Sequence, residues 1–141
     1  MDKIITLLKE RNKFLAKFSA LNIAEMQRVS TGDFNNIDDF YTTREGLLEV
    51  IKQVEGMIEK RLAFLGDFSN VSLSIKKLVS GLLKERDELV GQILNQDLEI
   101  LGCIDQAKNS IIEELQTLRK NRKVIGSYKS GHRHNIVDEE A

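Results

Sequence analysis

Few side chains in this sequence are arranged for chemistry, and the clearest candidates lie near its C-terminal end. His132 and His134 form a His-x-His pair. Two imidazoles can bind a transition metal ion, but a metal site needs further ligands and a fixed frame, which the surrounding sequence does not offer. The single cysteine, Cys103, has no histidine close to it in sequence that would activate a thiolate. We therefore predict no metal site and no cofactor.

The usual catalytic motifs are missing from the sequence. It contains no glycine-rich phosphate loop, no His-Glu-x-x-His motif and no Ser/His/Asp constellation. Its carboxylates stand beside lysines at positions that suit the polar faces of helices, where such charges usually face solvent. We therefore predict that the protein is not an enzyme.

Residues 119–133 form a basic run with six basic residues and no acidic one. Such a run could contact phosphates. It contains one aromatic residue, Tyr128, and so lacks the interleaved aromatics that stack on bases. The alternative is that the cations offset the negative end of a helix dipole. The sequence favours this alternative, and we expect no nucleic-acid partner. The basic residues are Arg119, Lys120, Arg122, Lys123, Lys129 and Arg133.

The bulk properties favour a protein of the reducing cytoplasm. The net charge of −1 gives no general attraction to nucleic acid or to an anionic membrane. No apolar run approaches the roughly 20 residues that a membrane-spanning helix needs. The first residues contain no apolar signal segment. A single cysteine cannot form an internal disulfide. We expect a cytoplasmic location and no membrane insertion.

The hydrophobic spacing of the chain predicts long helices. Helix 1 should span about residues 2–29, and Gly32 and Asp33 should end it and cap the next helix. Helix 2 should span about residues 34–65. Its stripe alternates between intervals of three and four residues, which is typical of a helix that packs along another helix. The stripe is Phe34, Ile37, Tyr41, Arg44, Leu48, Ile51, Glu55, Ile58, Leu62 and Leu65, and we expect its apolar members to be buried.

The short connection predicts that helices 1 and 2 form an antiparallel hairpin. Residues whose numbers sum to about 65 should then lie opposite each other. Arg11 would face Glu55, and Arg44 would face Asn22 or Glu25. The alternative is that both arginines extend to the edge of the seam.

Helix 3 should begin after the break at residues 66–72 and run to about residue 122. Its stripe contains Ile75, Leu78, Leu82, Arg86, Leu89, Ile93, Asp97, Ile100, Ile104, Lys108, Ile111, Leu115, Leu118 and Arg122. At 1.5 Å per residue such a helix is about 75 Å long, so its C-terminal part should extend past the hairpin or fold back. Uncovered apolar stripes usually mark a partner site or an oligomer interface.

The predicted fold is therefore all-α, an elongated antiparallel hairpin with a long third helix in a coiled-coil-like three-helix bundle. A break near Gly91 or Gly102 would divide the chain into four helices. Residues 1–125 form the predicted helical domain. Residues 126–141 have two glycines and no apolar stripe, so we expect a mobile, disordered tail.

Two groups of residues resemble the FlgN-type bacterial flagellar export chaperones, which are related in architecture to the FliT type. In the first hairpin, Leu7-Leu8 precedes Gly32-Asp33 and Phe34-x-x-Ile37, and Arg44-Glu45-x-Leu47-Leu48 follows. In the tail, Tyr128-x-x-Gly131 is followed by Ile136-x-Asp138 and a terminal Ala141, which is similar to FlgN endings. The resemblance extends over nearly the whole chain.

The resemblance implies a type III secretion chaperone for flagellum biogenesis. Such proteins bind the terminal segments of hook–filament junction proteins in the cytoplasm, prevent premature assembly and deliver the segments to the export apparatus. Client binding belongs to the C-terminal helical half, which here corresponds to Ile104, Ile111, Leu115 and Leu118. Tyr128, Gly131, Ile136 and Asp138 would serve recognition in the tail.

Two other functions stay open at this point. The chain could be a structural coiled-coil homo-oligomer whose stripe is permanently buried. It could also be an adaptor that contacts nucleic acid or a membrane surface through residues 119–133. A genomic neighbourhood of flagellar genes would favour the chaperone, a salt-resistant oligomer the structural subunit, and salt-dependent binding to polyanions the adaptor.

Overall fold

The computed structural model describes the backbone of residues 1–132 and the side chains of residues 1–126. Within this part the chain forms three α-helices and no β-strand. The helices are α1 (Asp2–Ser30), α2 (Ile37–Leu65) and α3 (Leu73–His132). The predicted all-α fold is confirmed. Over residues 1–132, no helix has an apolar stretch long enough to cross a bilayer.

Glycines end the first two helices, as the sequence predicts. Gly32 follows the last turn of α1 with φ +85°, and Gly66 follows α2 with φ +69°. Residues with a Cβ atom rarely adopt these left-handed angles. The N–H of Gly32 donates to the carbonyl of Val29, and the N–H of Gly66 donates to the carbonyl of Leu62. Both bonds satisfy carbonyls that would otherwise lack a partner at a helix end.

The start of α2 differs from the prediction. The helix begins at Ile37 rather than at residue 34, and its N-cap is Asn36. Asp33 was expected to cap this helix, but its carboxylate accepts the N–H of Asn35 at 3.0 Å. Asp33 therefore closes a local turn instead, because Asp side chains readily bond the backbone two residues ahead. At the next boundary Ser72 does act as a cap, since its hydroxyl accepts the N–H of Ile75 at 3.3 Å.

The third helix extends further than predicted. α3 is one element from Leu73 to His132, with Gly91 and Gly102 inside it. A helical glycine costs about 1 kcal/mol relative to alanine, which does not end a helix in a stretch without proline. The predicted end near residue 122 is therefore too early. Residues 126–132, which the sequence assigned to the mobile tail, belong to α3. The rest of the predicted tail, 133–141, lies outside the described residues, and its mobility stays a prediction.

The chain divides into two units, Met1–Gly102 and Cys103–Ala141. The first unit holds two apolar clusters. One contains Ile4 and Leu8 of α1 with Val54 and Ile58 of α2, and Val79 and Leu82 of α3 pack against it. The other contains Leu15 and Phe18 of α1 with Ile51 of α2 and Ile93 of α3. The low-numbered residues of α1 meet the high-numbered residues of α2, so these two helices run antiparallel.

The buried face of α2 overlaps the predicted one only in part. Ile51 and Ile58 are buried as expected, and Phe34, Ile37 and Leu65 are half-buried. The most buried row of the helix alternates by four and three residues and consists of Phe40, Arg44, Leu47, Ile51, Val54 and Ile58. Tyr41, Leu48 and Leu62 are exposed, so the prediction that Leu48 and Leu62 are buried is wrong. The predicted stripe and the observed buried row share positions 44, 51 and 58. Most of the other positions in each row are also apolar. Packing against α3, which lies far away in sequence, selects one of them.

Polar side chains connect α1 to α3 inside the first unit. The amide nitrogen of Asn22 donates to the side-chain oxygens of Gln96 and Asp97, each at 3.1 Å. The amide of Gln96 donates to the hydroxyl of Ser19 at 2.7 Å. The other carboxylate oxygen of Asp97 pairs with the guanidinium of Arg44. Because buried polar groups cost free energy when unpaired, this network favours one alignment of the helices.

The predicted partners of the two arginines are only partly found. Arg44 pairs with Asp97 and reaches Asn22 through that carboxylate. Glu25 is instead bonded by Arg28 and Asn36. Asp97 was not predicted as the partner of Arg44, because the hairpin prediction included helices 1 and 2 only.

Arg11 is buried and poorly compensated. Its Nε and Nη2 atoms have no hydrogen-bond partner, although the side chain is only 6% exposed. Burial, followed by the positive charge of Arg86, lowers the pKa of Arg11. Glu55 lies within electrostatic range and acts in the opposite direction, but it forms no hydrogen bond with these two nitrogens. The site therefore holds a charge that its surroundings disfavour.

Replacing Arg11 with methionine should raise the free energy of unfolding by about 1 kcal/mol, because methionine fills the site without a buried charge. Urea unfolding followed by circular dichroism measures the change. The control is Lys13→Met at an exposed position of the same helix, which should change stability by less than about 0.5 kcal/mol. A loss of stability in Arg11→Met larger than in the control would contradict this account of Arg11.

Candidate functional site

The residues predicted to bind a client lie on the second unit and are largely open to solvent. Ile111, Leu115 and Leu118 are 58%, 50% and 54% exposed, and Ile104 is half-buried. At spacings of seven, four and three residues, these side chains share one face of α3. Large apolar residues at such spacing form a surface on which another helix can pack. Whether they bind a client stays a prediction.

The exposed stripe is wider than the sequence pattern indicated. Ile112 is also exposed, and so are Val124 and Ile125 near the end of the described side chains. Residues 108–126 contain no buried or half-buried side chain. We call Ile111, Ile112, Leu115, Leu118 and Ile125 the distal stripe. Contiguous apolar side chains of this extent are unusual on the surface of an isolated protein, and they favour an interaction site.

Charge changes along the helix that carries the distal stripe. Glu113 and Glu114 are exposed on its first half. Arg119, Lys120 and Lys123 are exposed on its second half, and no acidic residue lies between 119 and 126. Of these charged residues, Glu114 and Arg119 lie next to the distal stripe on the helix surface, so a partner that covers the stripe would meet one acidic and one basic group beside it.

Two of the predicted tail residues, Tyr128 and Gly131, lie in the last part of α3. Ile136 and Asp138 lie outside the described residues. His134 falls in the same part of the sequence. Among residues 1–132, no group of three potential metal ligands occurs. Cys103 is a free thiol and is half-buried.

The loop between α2 and α3 holds the one carboxyl group of the described chain whose pKa is clearly shifted. The carboxylate of Asp67 accepts the backbone N–H of Ser69 at 3.0 Å and its hydroxyl at 2.8 Å. These hydrogen bonds lower the pKa of Asp67, since they stabilise the charged form. The residue is exposed and serves the turn. It does not suggest catalysis.

A second exposed apolar surface lies on the first unit, and the sequence analysis missed it. On α2 it contains Tyr41, Leu48 and Leu62, of which Leu48 and Leu62 were expected to be buried. On α3 it contains Leu83, Val90, Leu94, Leu98 and Leu101. The spacing of the α3 residues, at seven, four, four and three, was a signal in the sequence. This spacing is easy to overlook, because the exposed apolar stripe runs directly beside the buried one.

Comparisons of the chain with protein-family models, with curated proteins and with solved structures found no match. The distal stripe is the candidate site. It offers apolar contact and charge, and its chemistry suits binding of a helix.

Proposed function

We propose that this protein is a FlgN-type export chaperone. It binds a terminal helical segment of a hook–filament junction protein in the cytoplasm, prevents its premature assembly and delivers it to the flagellar export apparatus. The observation that carries the proposal is the exposure of Ile111, Leu115 and Leu118 on one face of a helix. The identity of the client comes from the resemblance in the hairpin and the tail.

Binding would follow the helix-in-groove mode. An amphipathic client segment lays its apolar face along the distal stripe and removes both surfaces from water. Burying one leucine or isoleucine completely is worth about 1.5–3 kcal/mol. Association and the ordering of the client absorb much of that gain. The resulting complex would be reversible, as a carrier that must release its cargo requires.

The first unit would act as the frame of the chaperone. We infer that α1, α2 and residues 73–102 form a coiled-coil-like three-helix bundle. Both apolar clusters receive residues from all three helices. The hydrogen bonds of Asn22 and Asp97 support the same arrangement. The tail would add recognition through Tyr128, Gly131, Ile136 and Asp138, as the resemblance implies.

The main alternative is a structural homo-oligomer that has no exported client. The same distal stripe supports it, because permanent self-association would also cover these side chains. Contact with nucleic acid or with a membrane surface through Arg119, Lys120 and Lys123 is a third function, supported only by their exposure and charge. These functions predict different partners and different responses to salt.

Calorimetric titration of the full-length chain with synthetic terminal segments of hook–filament junction proteins tests the proposal. We expect saturable binding with a negative heat-capacity change, which is the signature of apolar burial. A scrambled segment of the same composition is the control. Absence of binding to every junction segment, together with a stable oligomer, would favour the structural subunit. Binding to polyanions that falls steeply with salt would favour the adaptor.

A further inference from the structure

The ion pair between Arg44 and Asp97 identifies the flanks of α2 and α3 that adjoin each other. On α2, Phe40 lies four residues before Arg44 and is buried, whereas Leu48 lies four residues after it and is exposed. A step of four residues turns about 40° around a helix, so Arg44 lies between the buried and the exposed face. Because Arg44 reaches α3, the exposed face with Leu48 lies on the flank of α2 that adjoins α3.

Asp97 occupies the equivalent position on α3. Ile93, four residues before it, is buried, and Leu101, four residues after it, is 51% exposed. Leu101 therefore lies on the flank of α3 that adjoins α2. The two exposed faces border one shared groove, which we call the α2–α3 groove. It belongs to the first unit, Met1–Gly102.

Both walls of the α2–α3 groove have the spacing of a helix seam. On α2 the intervals alternate strictly between four and three residues, and on α3 every interval is four or three. The α2 wall consists of Tyr41, Glu45, Leu48, Lys52, Glu55, Glu59 and Leu62. The α3 wall consists of Leu83, Asp87, Val90, Leu94, Leu98 and Leu101. Such spacing is typical of helices that pack along another helix.

This seam is open in the first unit. Every residue of both walls is exposed, so none of the helices of this unit covers it. The α3 wall is entirely apolar from Val90 to Leu101, a length of about 16 Å or three helical turns. Tyr41 and Leu48 lie at the same level on α2, since they flank the residue that pairs with Asp97. A contiguous apolar groove of this length suits one further helix.

The rim of the α2–α3 groove carries charges in a regular order. Glu45, Lys52 and Glu59 follow each other at intervals of seven residues, which is about two turns of α2, and all three are exposed. Their side chains form no ion pair with any residue of the described part of the chain. In coiled coils, charges that flank an apolar seam pair with the neighbouring helix and determine which partner binds. These three charges are therefore available to a partner.

The other two charges of the walls interact within the protein. Asp87 pairs with Arg86 at 2.7 Å. Burial lowers the pKa of Arg11, and the nearby carboxylate of Glu55 acts in the opposite direction. The order of charge that the groove offers to a partner is therefore acidic, basic and acidic. It reads the same in both directions and so allows either orientation of the partner.

A helix that complements the groove needs an apolar stripe and, beside it, basic, acidic and basic residues at intervals of seven. We infer that the α2–α3 groove binds a helix of a second protein with this pattern. This partner differs from the exported segment, because the groove lies on the first unit and the distal stripe on the second. The two sites share no residue.

Two synthetic helical peptides with leucine at every seam position test the inference. The first carries lysine, glutamate and lysine at flanking positions seven residues apart, and the second carries glutamate, lysine and glutamate there. Calorimetric titration of each peptide into the full-length chain gives the two affinities. We expect the first peptide to bind at least about tenfold more tightly, because it forms opposite-charge pairs where the second brings like charges together.

A variant with exchanged charges should reverse this preference. It carries Glu45→Lys, Lys52→Glu and Glu59→Lys, so that the second peptide becomes the complementary one. Circular dichroism verifies that the variant folds.

The control variant changes the net charge by the same amount outside the groove. It carries Glu88→Lys, Glu99→Lys and Lys13→Glu, two of them on the far side of α3 and one on α1, all at exposed positions. The control should keep the preference of the wild-type chain. A reversal in the control as well would show that net charge alone selects the peptide, and would overturn the inference.

The inference also fails if the first peptide does not bind at high micromolar concentration, or if the two peptides bind equally well. Replacing Leu94 and Leu101 with glutamate should abolish binding of the first peptide. Replacing Ile111 and Leu115 with serine should leave it unchanged, because the distal stripe is a separate site. The assay contains no exported segment, so its result is independent of the proposed chaperone function.

Two further results would assign the groove to another occupant. If the wild-type chain is a dimer that Leu94→Glu with Leu101→Glu dissociates, the groove belongs to a second copy. If the same two changes abolish binding of the exported segment, the groove belongs to the exported protein. Either result would overturn the inference.

Discussion

Replacing Ile111 and Leu115 with serine should weaken binding of the junction-protein segment by more than about tenfold. Each side chain is half or more exposed in the free protein and would be covered in the complex. Full burial of each is worth about 1.5–3 kcal/mol, and a tenfold change in affinity corresponds to about 1.4 kcal/mol. The two losses together exceed that value even when only part of each side chain is buried. Calorimetric titration measures the affinity.

The matched control is Asn109→Ser with Gln116→Ser. These residues are exposed and seven positions apart, and they lie on the opposite face of the same stretch of helix. We expect the control to bind like the wild-type chain. Mass must be measured for both variants, since the serine changes would also weaken a dimer that uses the distal stripe. Unchanged affinity in the folded serine variant would contradict the assigned site.

Replacing Phe18 with alanine should lower the free energy of unfolding by about 3–5 kcal/mol. Phe18 is 2% exposed and packs among Leu15, Ile51 and Ile93. The guanidinium of Arg44 lies 4.8 Å above the centre of its ring. Alanine would leave a cavity where three helices meet and would remove the support of Arg44. For a unit of this size we expect a fall in the melting temperature of about 12–40 °C.

The same substitution at Phe64 is the control for Phe18. Phe64 is 87% exposed, so its replacement should change stability by less than about 0.5 kcal/mol. Thermal unfolding followed by circular dichroism compares the two variants with the wild-type chain. Similar melting temperatures for Phe18→Ala and Phe64→Ala would contradict the assignment of the core.

Local signals in the sequence predicted the ends of α1 and α2 and the start of α3. Gly32 and Gly66 both adopt the left-handed angles expected after a helix. Ser72 was one of the candidate caps of α3. Such features depend on a few adjacent residues, so the sequence contains most of the information. Asp33 was misassigned because an Asp before a helix can bond either the first turn or its own loop, and both choices satisfy one N–H.

Contacts between distant segments were harder to predict. On α3 the stripe through Ile93, Asp97 and Ile100 faces the core as expected. This stripe continues along the helix without a gap, so the sequence identifies the buried face. On α2 two rows of apolar residues could each face the core. The position of α3 determines the rotation of α2 and therefore which row is buried. The partner of Arg44 was missed for the same reason. The exposure of Tyr41, Leu48 and Leu62 is a direct consequence of that rotation.

The exposure of the candidate site agrees with the prediction, but the exposed surface is wider than predicted. The sequence indicated that Ile111, Leu115 and Leu118 lack a partner within the chain, and these side chains are exposed. Ile112 and Ile125 widen the surface beyond the predicted column. No pattern in the sequence identifies the molecule that covers this surface, because the identity of the partner depends on a second chain.

Hydrogen exchange with and without the junction-protein segment is the most direct test of the central claim, that the distal stripe binds an exported helix. The exchange of backbone amides follows local opening of the helix, which a bound partner suppresses. We predict that the segment slows exchange between residues 104 and 118 and leaves residues 2–30 unchanged. Protection confined to other parts of the chain, or no protection at a saturating concentration of the segment, would contradict the claim.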